Sequence, residues 1–504
     1  MDKNWYKLKL FIINLNLFYL GEFIMEGISL KKAVIINFIS KYSNIIMQLL
    51  ISVILARLLS PKDYGIVAVV TVFTTFFSLI ADMGFGPAII QNKELKEKDI
   101  NSIFSFTFYI ACLIAIIFSI FSIPISLIYK NKVYISIGIL LSISLFFSCL
   151  NIVPNALVNK NKEFKKLGER VVMTTIISGA ITIITAILGL KYYSIVINSI
   201  TNSIIMFIFN FKGSNIKFSF KFERESIDRI KNFSKYQFLF NVINYFSRNL
   251  DNLLIGKFMG STSLGYYNKA YTLMLYPIQN LTNVISPLLH PIFSEFQNDK
   301  EKIYNSYMKI VKILSLIGIL VGVYCFFASK EIVLIMFGIQ WSNSAKYFKI
   351  LSISLWFQMI TSSTGGIFQA TGNVNKLFKC GSITTGITIL CILVSSSFRS
   401  IEIISLGVSI AYILHFFVAF KLLIVDIFNK KFFSLVSTLK NHIIIFIIVI
   451  LGYKLIFNFT IENLFLSAII KFAIILVLYI FSLVITKEYK SILSVIKKEK
   501  NENE

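Results

Sequence analysis

Long uninterrupted apolar segments recur along this chain, and they restrict its fold more than any other feature of the sequence. About fourteen of them have roughly 20 or more largely apolar residues, enough for a helix to cross a ~30 Å hydrocarbon layer. A segment surrounded by lipid must be helical, because lipid offers the backbone no hydrogen-bond partners. Continuous apolar runs do not fit a membrane β-barrel, whose strands alternate apolar and polar residues. The sequence therefore predicts an all-α integral membrane protein with about fourteen transmembrane helices.

Short polar or charged stretches separate the predicted spans. Hydrophobic residues make up 56% of the chain and charged residues only 15%, so no soluble domain of useful size remains. The predicted spans cover residues 33–59, 64–90, 103–128, 133–157, 171–190, 192–211, 233–258, 266–293, 305–328, 347–368, 378–396, 401–427, 441–458 and 463–485.

The chain carries a formal net charge of +25, which on a soluble face would suggest a nucleic-acid partner. Its basic residues fall mainly in alternate loops, such as Gln91–Ser102, Asn159–Arg170 and Phe211–Asn232. The positive-inside rule explains this distribution without any nucleic acid. We therefore expect a multi-pass protein of the bacterial cytoplasmic membrane, with both termini, including the tail Thr486–Glu504, in the cytoplasm.

The first 32 residues do not contain a clear span. The apolar run Leu10–Leu20 is too short to cross a membrane, and Glu22 interrupts its continuation. No clear small-residue cleavage site for a signal peptide follows. Two interpretations stay open: Met25 is the true start, or residues 1–24 form an interfacial segment.

An internal repeat is the most informative pattern in the chain. Each motif is short, but all occur in the same order and at matching places in the two halves, as a duplicated unit predicts. The matches are Ser40–Tyr42 with Ser234–Tyr236, Gly65 with Gly265, Leu141–Leu145 with Leu351–Leu355, and Asn155–Ala156 with Gln369–Ala370. The unit holds six spans, an even number, so both copies enter the membrane in the same orientation.

This parallel repeat predicts two six-helix lobes around a central cavity, followed by a C-terminal helix pair outside the repeat. The predicted parts are an N-terminal cytoplasmic or interfacial segment 1–32, an N-lobe 33–211, a basic cytoplasmic linker 212–232, a C-lobe 233–428, an appended helix pair 429–485 and a cytoplasmic tail 486–504.

Two segments carry a resemblance to a known family. Ile54–Lys98 (ILARLLSPKDYGIVAVVTVFTTFFSLIADMGFGPAIIQNKELKEK) resembles the first-repeat signature of the Wzx-type oligosaccharide flippases of the MOP superfamily. Arg248–Asp299, which contains RNLDNLLIGKFMG and LGYYNKAYTLMLYPIQNLTNVISPLLHPIFSEFQND, is similar to their second-lobe signature. The resemblance extends over roughly residues 30–430, and the last helix pair fits the fourteen-helix members. An arginine-rich signature of peptidoglycan-precursor flippases is not evident.

The resemblance implies a flippase that moves a polyprenyl-pyrophosphate-linked oligosaccharide to the outer leaflet by alternating access, for surface polysaccharide biosynthesis. Its expected partners are this lipid-linked substrate, membrane lipids and other polysaccharide assembly proteins. One alternative is a cation-coupled drug or metabolite exporter of the same superfamily, which shares the two-lobe plan. A polytopic polysaccharide polymerase is the enzymatic alternative. The short predicted outer loops and the lack of paired carboxylates, a nucleotide-binding glycine loop or a nucleophile triad disfavour an enzyme.

Two lysines at equivalent repeat positions are the first candidates for substrate binding. Lys41 and Lys235 lie near the predicted cytoplasmic ends of the first and seventh spans. Facing each other across a cavity, they would hold a pyrophosphate electrostatically. In the alternative interpretation, both side chains reach towards the cytoplasmic interface.

The seventh predicted span is unusually polar. Arg248 and Asp251 stand one turn apart on it, so an ion pair between them is geometrically natural, either structural or switching during transport. Asn241 and Asn244 add polarity, and we expect this helix to line the cavity.

Asp82, near the inner end of the second span, is a candidate for binding a coupling proton or cation, or else caps a helix or pairs with a loop lysine. The five cysteines and three histidines show no metal-ligand spacing, so we expect neither a metal nor a cofactor, and no catalytic residue. Finally, Pro277, Pro287 and Pro291 predict interruptions of the eighth span.

Overall fold

The computed structural model describes residues 28–489, apart from residues 93, 162, 283–285, 298 and 458–460. This part of the chain is helical almost throughout and contains no strand. The all-α membrane fold predicted from the apolar segments is thereby confirmed.

The helices of the first half are α1 Ile28–Leu58, α2 Pro61–Asp82, α3 Phe85–Gln91, α4 Glu97–Ile128, α5 Val133–Leu150, α6 Ile152–Lys160, α7 Phe164–Ile187, α8 Tyr192–Lys212 and α9 Arg224–Pro277. A π-helical turn at Ile278–Thr282 follows, and then α10 Ser286–Ser294, α11 Lys300–Phe327, α12 Ser329–Phe337, a 3-10 turn at Ile339–Trp341, α13 Ser342–Ser352, α14 Leu355–Thr361, α15 Thr364–Ala370, α16 Val374–Ser396, α17 Ile401–Ile424, α18 Phe433–Ile456 and α19 Leu464–Ile485.

Within the described residues, eleven helices are long and apolar enough to cross a membrane. The predicted count of fourteen is therefore not confirmed. The three predicted spans that do not qualify are 233–258, 266–293 and 347–368. The first lies largely on side chains outside the described residues, while breaks in the helix divide the other two.

Local sequence chemistry sets several helix boundaries. Ser60 and Asp63 form a reciprocal cap at the start of α2: Ser60 N donates to Asp63 Oδ2 (2.9 Å), and Asp63 N donates to Ser60 Oγ (3.3 Å). The helix ends at Asp82 because Met83 and Gly84 take left-handed φ values of 44° and 77°. A second short helix, α3, then begins at Phe85.

The chain packs into two compact units, and α2 and α9 each run from one unit into the other. The first comprises residues 28–58 and 73–240 of the described chain, and the second comprises 59–72 and 241–489. Residues 59–72 of the predicted N-lobe group with the second unit, and residues 233–240 of the predicted C-lobe group with the first. The predicted part boundaries therefore stay a prediction.

Short helices occur at equivalent repeat positions in the two units. In the first unit, α3 packs against α6; in the second, α10 packs against α15. The repeat matches Asn155–Ala156 in α6 with Gln369–Ala370 at the end of α15. Interrupted helices at matching places are what a duplicated six-helix unit would produce.

Small polar side chains hold the first unit together. Thr175 of α7 donates to Asn44 Oδ1 of α1 (2.7 Å), and Asn198 of α8 donates to Thr182 Oγ1 of α7 (2.7 Å). In lipid, where apolar surfaces do not drive association, small residues and interhelical hydrogen bonds supply helix pairing. Most of the predicted linker lies along α4, where Tyr109 Oη donates to the Phe220 carbonyl (2.8 Å).

The appended helices α18 and α19 are docked in the second unit by buried polar contacts. Lys471 of α19 donates to Glu331 Oε1 of α12 (2.7 Å), and Ser467 donates to the same oxygen (2.9 Å). Near the opposite end, His442 Nδ1 of α18 lies 2.8 Å from Ser315 Oγ of α11, and Asn441 donates to Glu488 Oε1 (2.7 Å), which joins α18 to the end of α19. The pair is thus fixed near both of its ends.

Candidate functional site

A buried carboxylate inside α9 is the centre of the most polar region of the second unit. Asp251 is only 2% exposed; its Oδ2 accepts from Tyr267 Oη (2.5 Å) and its Oδ1 from Asn252 N (2.7 Å). The α9 helix has a non-helical kink at Gly260, which lets Tyr267 turn back towards Asp251. Asn252 is also buried, and no described group donates to its Oδ1. Buried polar groups in an apolar segment are costly, so this cluster marks a functional region.

Arg248 differs from its neighbour Asp251. It is exposed, and no described carboxylate lies within ion-pair distance of it. The Arg248–Asp251 ion pair expected from the spacing is therefore not formed, because the buried Asp251 carboxylate is bonded to Tyr267 and Arg248 is exposed. An exposed, unpaired guanidinium within a helix of this kind is free to bind an anion.

The cluster extends to α17, which the sequence did not indicate. Tyr271 and Tyr412 share a hydrogen bond between their hydroxyls (2.5 Å), and the field of Arg248 reaches both rings and His415. We call Arg248, Asp251, Tyr267, Tyr271 and Tyr412 the tyrosine cluster. Single tyrosines and histidines in apolar helices give no sequence signal; only the packing of α9 on α17 joins them.

The other predicted binding residues are placed only in part. Lys41 is exposed on α1 in the first unit. Lys235, Asn241 and Asn244 lie on α9, but their side chains fall outside the described residues. The predicted Lys41–Lys235 pair and the roles of both asparagines stay predictions.

Asp82 is half-buried at the end of α2, where its Oδ1 accepts from Gly86 N (3.4 Å) across the break that precedes α3. This is the capping arrangement, one of the three roles weighed for it. Its role as a coupling-ion site stays a prediction. The part of the chain that the structure describes contains no group of three or more potential metal ligands.

In the second unit, the start of α2 and the start of the second part of α9 cross closely at Gly65 and Gly265, the glycines that match in the repeat. A Cβ atom on Gly65 would lie 1.6 Å from the Ser261 carbonyl oxygen, and one on Gly265 would lie 1.9 Å from the Pro61 carbonyl oxygen. The two contacts are related by the repeat offset of about 200 residues, so the crossing is nearly symmetric. The sequence showed the matched glycines but not their contact. Only a residue without a side chain allows the backbones this close.

Beside this crossing, a lysine is buried among aromatic rings. Lys269 Nζ lies 4.0 Å from the ring centre of Tyr64, 4.8 Å from that of Phe337 and 5.8 Å from that of Trp341. Such contacts attract a cation to the ring faces. We call these four residues the aromatic cage. The cage joins the starts of α2 and of the second part of α9 to α12 and the following turn. It was not predicted, because Lys269 has no charged counterpart in the other repeat.

A family model described as "Polysaccharide biosynthesis protein" matches residues 54–346. The chain belongs to this polysaccharide biosynthesis family. The matched range contains both Ile54–Lys98 and Arg248–Asp299, so the resemblance to Wzx-type flippases of the MOP superfamily is confirmed.

Similar proteins extend over most of the chain. The "Uncharacterized membrane protein in cps region" of Klebsiella pneumoniae is 24% identical, over 81% of this chain and 87% of that protein. The "Lipopolysaccharide biosynthesis protein WzxC" of Escherichia coli K12 is 20% identical, over 75% of this chain and 77% of that protein.

Solved structures establish the fold. "Lipid II flippase MurJ, inward closed conformation" superposes with a TM-score of 0.72 at 19% identity, over 90% of this chain and 99% of that protein. An inward-facing multidrug resistance MATE family transporter of the MOP superfamily gives a TM-score of 0.59 at 14% identity, over 78% of this chain and 96% of that protein. At these identities the likeness shows a shared fold and not a shared substrate.

Proposed function

We propose that this protein is a flippase that moves a polyprenyl-pyrophosphate-linked oligosaccharide across the cytoplasmic membrane for surface polysaccharide biosynthesis. The observation that carries the proposal is the family match over residues 54–346. The proteins matched with it include one named for lipopolysaccharide and one for teichuronic acid biosynthesis. The fold, shared with a lipid II flippase, supplies an architecture suited to a lipid-linked cargo.

The chemistry of the cargo supports a role for the exposed basic residues. A pyrophosphate carries two or more negative charges, so its transfer through hydrocarbon requires polar, preferably cationic, protein groups. Arg248, exposed and unpaired among the described residues, offers five donors in a fork that matches phosphate oxygens. Lys41, Lys235, Asn241 and Asn244 are the other members of the proposed binding set, with the amide and ammonium N–H groups as donors for sugar or phosphate oxygens.

Alternating access requires one end of the cavity to close while the other opens. We assign the outer closure to the Gly65–Gly265 crossing and the adjacent aromatic cage. Backbone contact at the glycines leaves no space for a sugar chain between these helix starts. The cation–π contacts of Lys269 join the starts of these helices to α12 and the following turn.

The proposed orientation places both termini in the cytoplasm of a bacterial cell, in its inner membrane. The basic loops and the positive-inside rule support it. Other polysaccharide assembly proteins are the proposed neighbours that supply and consume the cargo. No step of bond making or breaking is proposed for this chain.

The deciding experiment is deletion of the gene, followed by mass spectrometry of membrane lipid extracts and measurement of surface polysaccharide. We expect polyprenyl-pyrophosphate oligosaccharide to accumulate and surface glycan to fall, with both restored by the wild-type gene. A normal lipid-linked pool and normal glycan, in a strain without a redundant flippase, would instead favour the small-molecule exporter of the same superfamily.

A further inference from the structure

A basic pocket opens between one end of α7 and the adjoining end of α8, apart from the residues assigned above. Its volume is about 340 Å³. The lining side chains are Lys166, Glu169, Arg170, Met173, Phe209 and Lys212. None of them belongs to the proposed transport machinery.

The central cation of the pocket, the Arg170 guanidinium, is held in place by buried amide side chains. Arg170 Nη1 donates to Asn210 Oδ1 (3.0 Å), and the fully buried Asn210 in turn donates to Asn151 Oδ1 (3.0 Å). No described residue accepts a hydrogen bond from the remaining N–H groups of Arg170. The guanidinium is therefore fixed by one edge while donors remain for a ligand.

The charge of the pocket favours an anion. Three of the lining residues are cationic and only Glu169 is acidic; Lys166 is paired with Glu163 (3.0 Å), so Arg170 and Lys212 supply the charge that remains for a ligand. Glu169 is itself 3.8 Å from Lys165, which offsets its charge.

An exposed apolar stripe continues from the pocket along α7. Met173 of the pocket is 56% exposed, and Ile177, Ile184 and Ile187 follow it at helical spacing with 41%, 57% and 67% exposure. A membrane-spanning helix with such a stripe faces acyl chains. Cationic groups at the end of this stripe therefore lie at headgroup depth.

We propose that this pocket binds the phosphate of an anionic phospholipid, whose acyl chains lie along the α7 stripe. Basic pockets between helices at a membrane interface recognise lipid headgroups in this way. Free phosphate and the pyrophosphate of a cargo lipid share the same anionic chemistry. The apolar stripe favours the phospholipid over free phosphate, and the binding does not depend on the proposed flippase activity.

The test uses the full chain, purified and placed in nanodiscs of phosphatidylcholine with or without phosphatidylglycerol. Native mass spectrometry counts the lipid molecules that stay bound. The test variant is the triple substitution K166Q/R170Q/K212Q. The matched control, K130Q/K132Q/K191Q, removes three exposed charges from the loops that precede α5 and α8, at the ends of the helices away from the pocket. We expect retention of phosphatidylglycerol to fall about fivefold for each of the charges of Arg170 and Lys212 that the first variant removes, and to stay unchanged in the control.

A second variant changes geometry and not charge. A Cβ atom on Gly213 would lie 1.9 Å from Arg170 Nη2, so Gly213→Ala should push the guanidinium out of position. We expect it to reduce phosphatidylglycerol retention while the thermal stability of the protein stays near that of the wild type.

Competition experiments separate the sources of the phosphate. We expect neither inorganic phosphate nor a sugar-free polyprenyl pyrophosphate, each at the concentration of the bound lipid, to displace phosphatidylglycerol. Displacement by inorganic phosphate would show a soluble-anion site, and preferential displacement by the pyrophosphate lipid would assign the pocket to the cargo. Either displacement would overturn the proposal. So would retention of phosphatidylcholine equal to that of phosphatidylglycerol, or a loss of phosphatidylglycerol in the control variant equal to that in the test variant. None of these results bears on the gene-deletion test of the flippase activity.

Discussion

Two charged residues one turn apart on α9 illustrate how packing decides the role of a side chain. Arg248 is exposed and has no carboxylate within ion-pair distance among the described residues, whereas Asp251 is buried and bonded to Tyr267. Loss of a hydrogen-bond partner of such a carboxylate should destabilise the fold, because the cost of its burial would no longer be offset. An exposed guanidinium instead remains available to a ligand. Substitutions that disturb Asp251 should therefore lower stability, whereas substitutions at Arg248 should reduce transport.

The Asp251–Tyr267 hydrogen bond should contribute more to the free energy of unfolding than the nearby Tyr271–Tyr412 hydrogen bond. Tyr267→Phe should lower the free energy of unfolding by about 1–3 kcal/mol, since the buried carboxylate would lose a donor. Tyr271→Phe, which breaks the Tyr271–Tyr412 hydrogen bond, should cost only about 0.5–1.5 kcal/mol. Thermal unfolding of the purified protein measures both. Equal shifts in the two variants would show that the hydrogen bond to Asp251 contributes no more than the Tyr271–Tyr412 hydrogen bond.

Arg248 should be needed for transport and not for folding. Arg248→Gln should reduce export about ten- to hundredfold, the loss of one charge-assisted contact of roughly 1.5–3 kcal/mol. Its thermal unfolding should match that of the wild type. Surface glycan in the complemented deletion strain is the readout, and Arg399→Gln, at an exposed loop arginine, is the control. Unchanged export with normal membrane levels would remove Arg248 from the binding set.

At the scale of elements, the crossing of α2 with the second part of α9 depends on glycine. Gly65→Ala or Gly265→Ala should reduce export and lower stability by about 1–3 kcal/mol, because a methyl group would overlap a backbone carbonyl. Gly386→Ala is the matched control, since nothing lies within 4 Å of its Cβ position. In the helix α16 that substitution should be neutral or stabilising. If Gly65→Ala behaves like Gly386→Ala, the crossing is not a tight closure.

The contact of α19 with α12 includes the buried ion pair of Lys471 with Glu331. Removal of either partner would leave the other as an uncompensated buried charge. Glu331→Gln or Lys471→Met alone should cost about 3–5 kcal/mol, while the double variant should recover most of this loss. A double-mutant cycle of thermal unfolding tests the coupling. Additive losses would show that the pair does not hold the appended helices in place.

The Glu331–Lys471 ion pair also predicts that the stability of the protein depends on pH. Burial raises the pKa of Glu331, but hydrogen bonds from Lys471, its own backbone and Ser467 outweigh burial and leave the pKa below its ordinary 4.5. The unfolded state therefore takes up the proton first as the pH falls. The stabilisation is present above pH 4.5 and is lost as the pH falls through the lower folded value. This loss should be absent in the Glu331→Gln variant, which thermal melts across that range would reveal.

At the scale of the whole molecule, the distribution of basic loops predicts the topology. A single cysteine at Lys98 should react with a membrane-impermeant label only in opened cells, and one at Lys132 in intact cells. Both positions are exposed, whereas the five native cysteines are buried or half-buried. A fluorescent protein fused to the C-terminus should fold and fluoresce in the cytoplasm. The reverse labelling pattern would invert the orientation proposed here.

The sequence by itself determined the fold class, the internal repeat and the family of this protein. Apolar length, loop charge and local motifs act along the chain, so no tertiary contact is needed to recognise them. The matched Gly65 and Gly265 were visible in the same way.

The tertiary structure alone decided which side chains meet. Sequence spacing suggested that Asp251 would pair with Arg248, but the kink at Gly260 brings Tyr267 to it instead. Lys269 reaches its aromatic cage, and Arg170 its pocket, through residues far away in the sequence. In nearly uniformly apolar helices the few polar groups must find partners, and which partners they find depends on helix packing that periodicity does not encode.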